Sequence, residues 1–147
     1  MNESRYWKYF RTGPRQNLDL PDYRGNPSYS RESGLTRVVD LTSQMIDGAP
    51  NIGTTWFWPR EGVSDRVGVE AHTHPFDEVI GFFGTNPEDQ HDLGGEVELW
   101  LEDEKFVLTQ SFITFIPAGM KHCPLVMRRV ERPMFHFGVV PHGEEYV

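Results

Sequence analysis

From Leu35 to Val140 the sequence is a succession of short apolar-rich runs separated by turn signals. No stretch of useful length keeps its apolar positions on a helical period. That feature restricts the chain to an all-β architecture, a barrel or a sandwich. Glu96–Leu101 shows the pattern at its cleanest: Val97, Leu99 and Leu101 fall on one face, and Glu96, Glu98 and Trp100 on the other. The acidic turn Glu102-Asp103-Glu104 leads into Lys105–Thr109, which predicts a hairpin. Further strands are expected at Leu35–Leu41, Asn51–Pro59, Val67–His74, Phe76–Gly84, Ser111–Ile116, His122–Arg128 and Pro133–Val140, about nine in all. In Asn51–Pro59, Trp56 and Trp58 share one face while Thr55 and Phe57 share the other. Thr85–Gly95 reads as a long acidic connection carrying His91.

Residues 1–34 differ in kind. They are polar and punctuated by Gly13, Pro14, Pro21, Gly25 and Pro27, yet they carry Tyr6, Trp7, Tyr9, Phe10, Tyr23 and Tyr29. Disordered tails are usually poor in aromatics. The expectation is therefore an irregular N-terminal arm, 1–34, that packs on a β-barrel domain, 35–147, or crosses to a second subunit in a homodimer. A length of 147 residues suits one domain with a sizeable core. The formal charge is −8 and the acids are spread along the chain, so neither nucleic acid nor a membrane surface is an expected partner. No apolar run approaches a membrane span, and the N-terminal residues lack the apolar core of a signal peptide. The single cysteine, Cys123, leaves no internal disulfide. These features together point to a cytoplasmic protein.

The chemistry is concentrated in His72-Thr73-His74-Pro75-Phe76-Asp77-Glu78. In extended chain His72 and His74 point the same way. Pro75 then bends the backbone, and Glu78 opens the next apolar run, where it can turn back toward the rings. Two imidazoles and one carboxylate suit a divalent ion such as Fe, Mn, Ni, Co or Zn. Such a pair is weak evidence until a fourth ligand is found. Pro117-Ala118-Gly119-Met120-Lys121-His122 offers one, a turn that delivers a histidine onto the start of a strand.

At this point the sequence resembles the cupin superfamily. His72, His74, Glu78 and Gly84 match its first motif in spacing, and Pro117, Gly119 and His122 match its second. The resemblance covers roughly residues 50–140. It implies a double-stranded β-helix, or jelly-roll barrel, often dimeric. One divalent transition metal per chain would be held by His72, His74, Glu78 and His122, with coordination positions left open. Iron or manganese is the expected functional ion, with zinc or nickel as alternatives in purified material.

The even-numbered run Glu78, Ile80 and Phe82 is expected to face the pocket, with Trp56 and Trp58 as possible aromatic walls. His136, among the aromatics of a late strand, is a candidate proton donor or substrate ligand, against a plain core position. Arg128 and Arg129 are candidate carboxylate anchors, more at home on the surface. His91 and His142 look solvated. Cys123 follows a ligand, so alternation should turn it away from the metal. The leading expectation is a mononuclear metal-dependent enzyme acting on a small carbonyl-, enol- or carboxylate-containing molecule. Its reaction would be a dioxygenation or a redox-neutral lyase, decarboxylase, hydrolase or isomerase step. The alternative is a non-catalytic binding protein with a structural or vestigial metal.

Overall fold

The protein is described here from a computed structural model covering residues 4–13, 34–60 and 67–141. Among the described residues nine strands follow one short 3-10 turn, Trp7–Tyr9: β1 Leu35–Leu41, β2 Asn51–Phe57, β3 Val67–Val69, β4 Glu78–Phe83, β5 Asp92–Leu101, β6 Glu104–Gln110, β7 Phe112–Ile116, β8 His122–Val130 and β9 Met134–Val140. They form two antiparallel sheets, ordered β1-β2-β9-β4-β7 and β3-β8-β5-β6. This is the double-sheet jelly roll that the strand pattern implies.

Alternation along each strand sorts the side chains. Phe82, Leu93, Val97, Leu99, Ile116 and Met134 are all within 2% exposure and fill the space between the sheets. Fully burying a side chain such as Phe82 contributes roughly 2–3 kcal/mol. Phe57 and Phe112 pack against that cluster. Val97 and Leu99 face inward, which leaves Glu96, Glu98 and Trp100 on the outside of the four-stranded sheet. There Arg128 pairs with Glu96 at 3.3 Å and Glu98 at 2.7 Å, while Arg129 pairs with Glu131 at 2.8 Å. These arginines brace the outer surface and do not enter the pocket.

Three sequence expectations need correction. First, β5 begins at Asp92, inside the stretch expected to be a loop. Its two glycines look like turn residues, but Gly95 is there for close approach: a Cβ would stand 2.1 Å from the Arg129 carbonyl oxygen. Second, β3 stops at Val69, and His72 rejoins the sheet only through an isolated bridge to His122. Third, Trp56 and Trp58 do not line the pocket. In β2 the odd residues Gly53, Thr55 and Phe57 turn inward. The two indoles stack on the outer face, 6.1 Å apart, with Phe135 beside Trp56. That outer face continues through Phe83 and Phe137 to Ile113 and Phe115, which are 61% and 58% exposed.

The described part of the arm lies near the β1–β2 connection, where the Gly13 carbonyl accepts from the Asp40 amide at 3.4 Å. Its aromatics Tyr6, Trp7, Tyr9 and Phe10 are exposed. Tyr23, Tyr29 and His142 lie outside the described residues. Among those described, no helix is long and apolar enough to cross a membrane.

Candidate metal centre

The two histidine-bearing segments are joined backbone to backbone. His72 and His122 exchange a pair of amide–carbonyl hydrogen bonds, both 3.0 Å. The Gly119 amide donates to the His74 carbonyl at 2.9 Å, and the Ala118 amide donates to the Asp77 carboxylate at 2.8 Å. The turn itself is closed by the Met120 amide on the Pro117 carbonyl at 3.1 Å. Gly119 takes its third position at φ +83 with open space around it, so glycine is favoured there for its backbone freedom. Gly84 serves differently. A Cβ at that position would stand 1.9 Å from the Asp92 carbonyl oxygen, so the backbones themselves leave no room.

This bracing brings His72, His74, Glu78 and His122 together, with one donor atom from each lying within 4.8 Å of all the others. His74, Glu78 and His122 are buried, and His72 is half-buried at the mouth. In each ring Nδ1 meets a backbone carbonyl: Glu70 for His72 at 2.6 Å, Phe76 for His74 at 2.9 Å and Met120 for His122 at 2.9 Å. A carbonyl only accepts, so Nδ1 carries the hydrogen in all three rings. The neutral form of each ring then presents a bare lone pair at Nε2. For His74 and His122 that lone pair faces Oε1 of Glu78, at 3.1 and 3.2 Å. Lone pairs and a carboxylate oxygen converging out of water repel one another unless a proton or a cation lies between them. The donor set therefore fits a divalent ion, and the carbonyls on Nδ1 supply the outer hydrogen bonds that orient metal-binding imidazoles.

Titration follows the same geometry. Burial pushes His72 down to about 4. The Glu70 carbonyl and Glu78 oppose that fall, while the neighbouring rings of His122 and His74 add to it. For His74 burial is again the largest single influence and acts downward. The Glu78 carboxylate, by hydrogen bond and by charge, together with the Phe76 carbonyl, outweighs it, so His74 holds its proton above the ordinary imidazole value.

Sequence motifs, bracing and converging donors now agree with the strand order. The chain has the cupin fold. Among solved structures it is similar to a conserved double-stranded β-helix protein from Klebsiella pneumoniae, at 17% identity and TM-score 0.47 over 88% of this chain and 93% of that one. It is also similar to a cupin protein from Bacteroides fragilis, at 14% identity and TM-score 0.46, covering 87% and 93%. KdgF from a Halomonas species matches at 14% identity and TM-score 0.45, covering 84% and 94%. Identities this low say nothing about chemistry. No protein-family profile matches the sequence, and no curated protein matches it.

Beside the ligands the cupin barrel holds a cavity of about 40 Å³, whose lining includes Arg37, His72, Glu78, His122, Cys123 and His136. Ile80 lines it too, as its parity with Glu78 requires, while Phe82 lies fully buried and stacks on the His136 ring at 4.2 Å. Nδ1 of His136 donates to the Gly81 carbonyl at 2.9 Å, which makes Nε2 the basic nitrogen. Cys123 contradicts the simple alternation rule. Leu99 pairs with Leu125 but Leu101 pairs with His122, so β8 carries one extra residue here. The bulge, with Cys123 at φ +72, puts His122 and its neighbour on the same cavity. His91 lies in the exposed β4–β5 connection, well apart from the site in sequence and burial.

Proposed function

We propose that this cupin-fold protein is a mononuclear metal-dependent enzyme acting on a small oxygen-bearing organic molecule. The observation that supports the reading is the arrangement of His72, His74 and His122. Their Nδ1 hydrogens are held by carbonyls, and His74 and His122 turn Nε2 lone pairs onto Glu78. A divalent ion held by these four residues would supply Lewis-acid polarisation of a carbonyl or enol oxygen, or dioxygen chemistry, at its open positions. Iron or manganese is the proposed functional ion. Ile80 and Leu125 supply the apolar part of the neighbouring wall. His136 is the proposed proton acceptor and donor, at Nε2, within the same cavity.

Elemental analysis of protein prepared without a nickel column is the first test. About one transition-metal ion per chain is expected, falling to near zero in His122→Ala. Aerobic and anaerobic screens of small 2-oxo acids, diketones and enols on the loaded protein follow. Failure to bind any first-row divalent ion stoichiometrically would overturn the metal centre. Tight metal and ligand binding without turnover across the screen would favour a non-catalytic binding protein.

A further inference from the structure

Arg37 enters the same cavity from β1, an edge strand of the five-stranded sheet, and no pattern in the sequence singles it out. β1 bulges at this point. Arg37 pairs with Thr55 and Asp40 with Gly53, three steps on β1 against two on β2. An extra residue re-aims the side chains around it, and both Arg37 and Asp40 come to lie inward. Asp40, 3% exposed, sits 3.4 Å from the guanidinium and holds it in place. Gly53 leaves the space: a Cβ there would stand 3.2 Å from Nη1 of Arg37 and 3.3 Å from Oδ1 of Asp40. Bulge, counter-ion and missing side chain together present a cation to the chamber that holds the metal donors.

Buried ion pairs add little to stability, because desolvation offsets their attraction. Function is the better reason to keep one beside a metal site. The charge count points the same way. Among the described residues, Arg37 is the one guanidinium on the cavity and Glu78 the one carboxylate, with Asp40 paired to Arg37 behind it; a divalent ion added to these three would leave a single positive charge in excess. One bound monoanion restores neutrality. A guanidinium fork matches the two oxygens of a carboxylate. The cavity is small, about 40 Å³, which favours a small occupant. We infer that the bound molecule is a small monocarboxylate. Its carboxylate lies on Arg37, and a second oxygen, from a ketone, enol or hydroxyl group, reaches toward the four metal-binding residues. This deepens the proposed function and rests on its metal centre.

The test uses the full chain loaded with manganese, its metal content measured first. Calorimetric titration then compares pyruvate with pyruvamide, which has nearly the same shape and no charge. Wild type is expected to bind pyruvate at least tenfold more tightly than pyruvamide. Arg37→Gln erases that preference with manganese content unchanged, and Arg37→Lys retains part of it. Because Arg37→Gln leaves Asp40 beside no guanidinium, the double variant Arg37→Gln/Asp40→Asn guards against misfolding and must also lose the preference. The inference is overturned if wild type shows no preference, or if both glutamine variants keep it, since the metal alone would then be reading the charge. A chain that takes up no manganese fails at the first measurement, and that failure belongs to the metal centre and brings this inference down with it.

Discussion

Replacing Glu78 by Gln should move stability in opposite directions with and without metal. With the rings in their neutral forms in the metal-free protein, at high pH, Nε2 of His74 and His122 faces Oε1 of Glu78 at 3.1 and 3.2 Å with no hydrogen to share. A glutamine amide in that place supplies two hydrogens to those two nitrogens. At about 1 kcal/mol net for each new hydrogen bond, the variant gains about 2 kcal/mol. That corresponds to a Tm higher by about 6 °C for a chain of this length. At pH 5 the sign reverses. His74 holds its proton above the ordinary value because of Glu78, so their pairing contributes stability below the ordinary imidazole pKa. That contribution disappears as pH rises through the folded-state value. Glu78→Gln removes it and should lower Tm in acid. Metal changes the order again. An ion at a thousand times its Kd stabilises wild type by about 4 kcal/mol, whereas the amide is a poor ligand and the variant gains little. Calorimetric melts of both proteins, with and without manganese at the two pH values, read all of this. A variant that melts lower than wild type at high pH without metal, and gains as much from manganese, would refute the tautomer argument.

The two motif glycines should fail differently. Gly119→Ala places a side chain at φ +83 in open space and should cost about 1 kcal/mol, while Gly84→Ala drives a Cβ into the Asp92 backbone and should cost at least twice as much; urea melts with unchanged m-values would rank them. Metal affinity should begin to fall while pH is still above the ordinary imidazole value, because His74 takes its proton there, and His72 should join only near pH 4; zinc or manganese titrations across that range check it, and an affinity constant down to pH 4 would contradict it. The homodimer expected from the aromatic arm is a proposal that light scattering decides, with a particle of twice the 17.0 kDa chain mass expected and a monodisperse monomer counting against it.

Much of the fold was legible because alternation is a local signal. Val97 and Leu99 announce their side of β5 in the sequence, and the buried faces follow. The ligand types were legible because the two motifs hold them at recognisable spacings. Arg37 and Cys123 were not. Each reaches the cavity through a bulge, and a bulge is defined by the partner strand's register, which no local window contains. The tryptophans misled for a related reason. Parity within β2 separates Trp56 from Phe57 but does not say which faces the core, and indole size argues for the wrong side. Gly95 hid the start of β5, because glycine kept for close approach looks like glycine kept for a turn.

Glu78 belongs to the five-stranded sheet and His122 to the four-stranded one, so the ligand set straddles the gap between them. Apolar side chains such as Phe82 and Leu99 fill that gap, while backbone hydrogen bonds between the histidine segments tie the donors together. A slimmer interior residue would leave a void that its surroundings close only in part, so the strands carrying the donors would be less firmly held although no histidine had been touched.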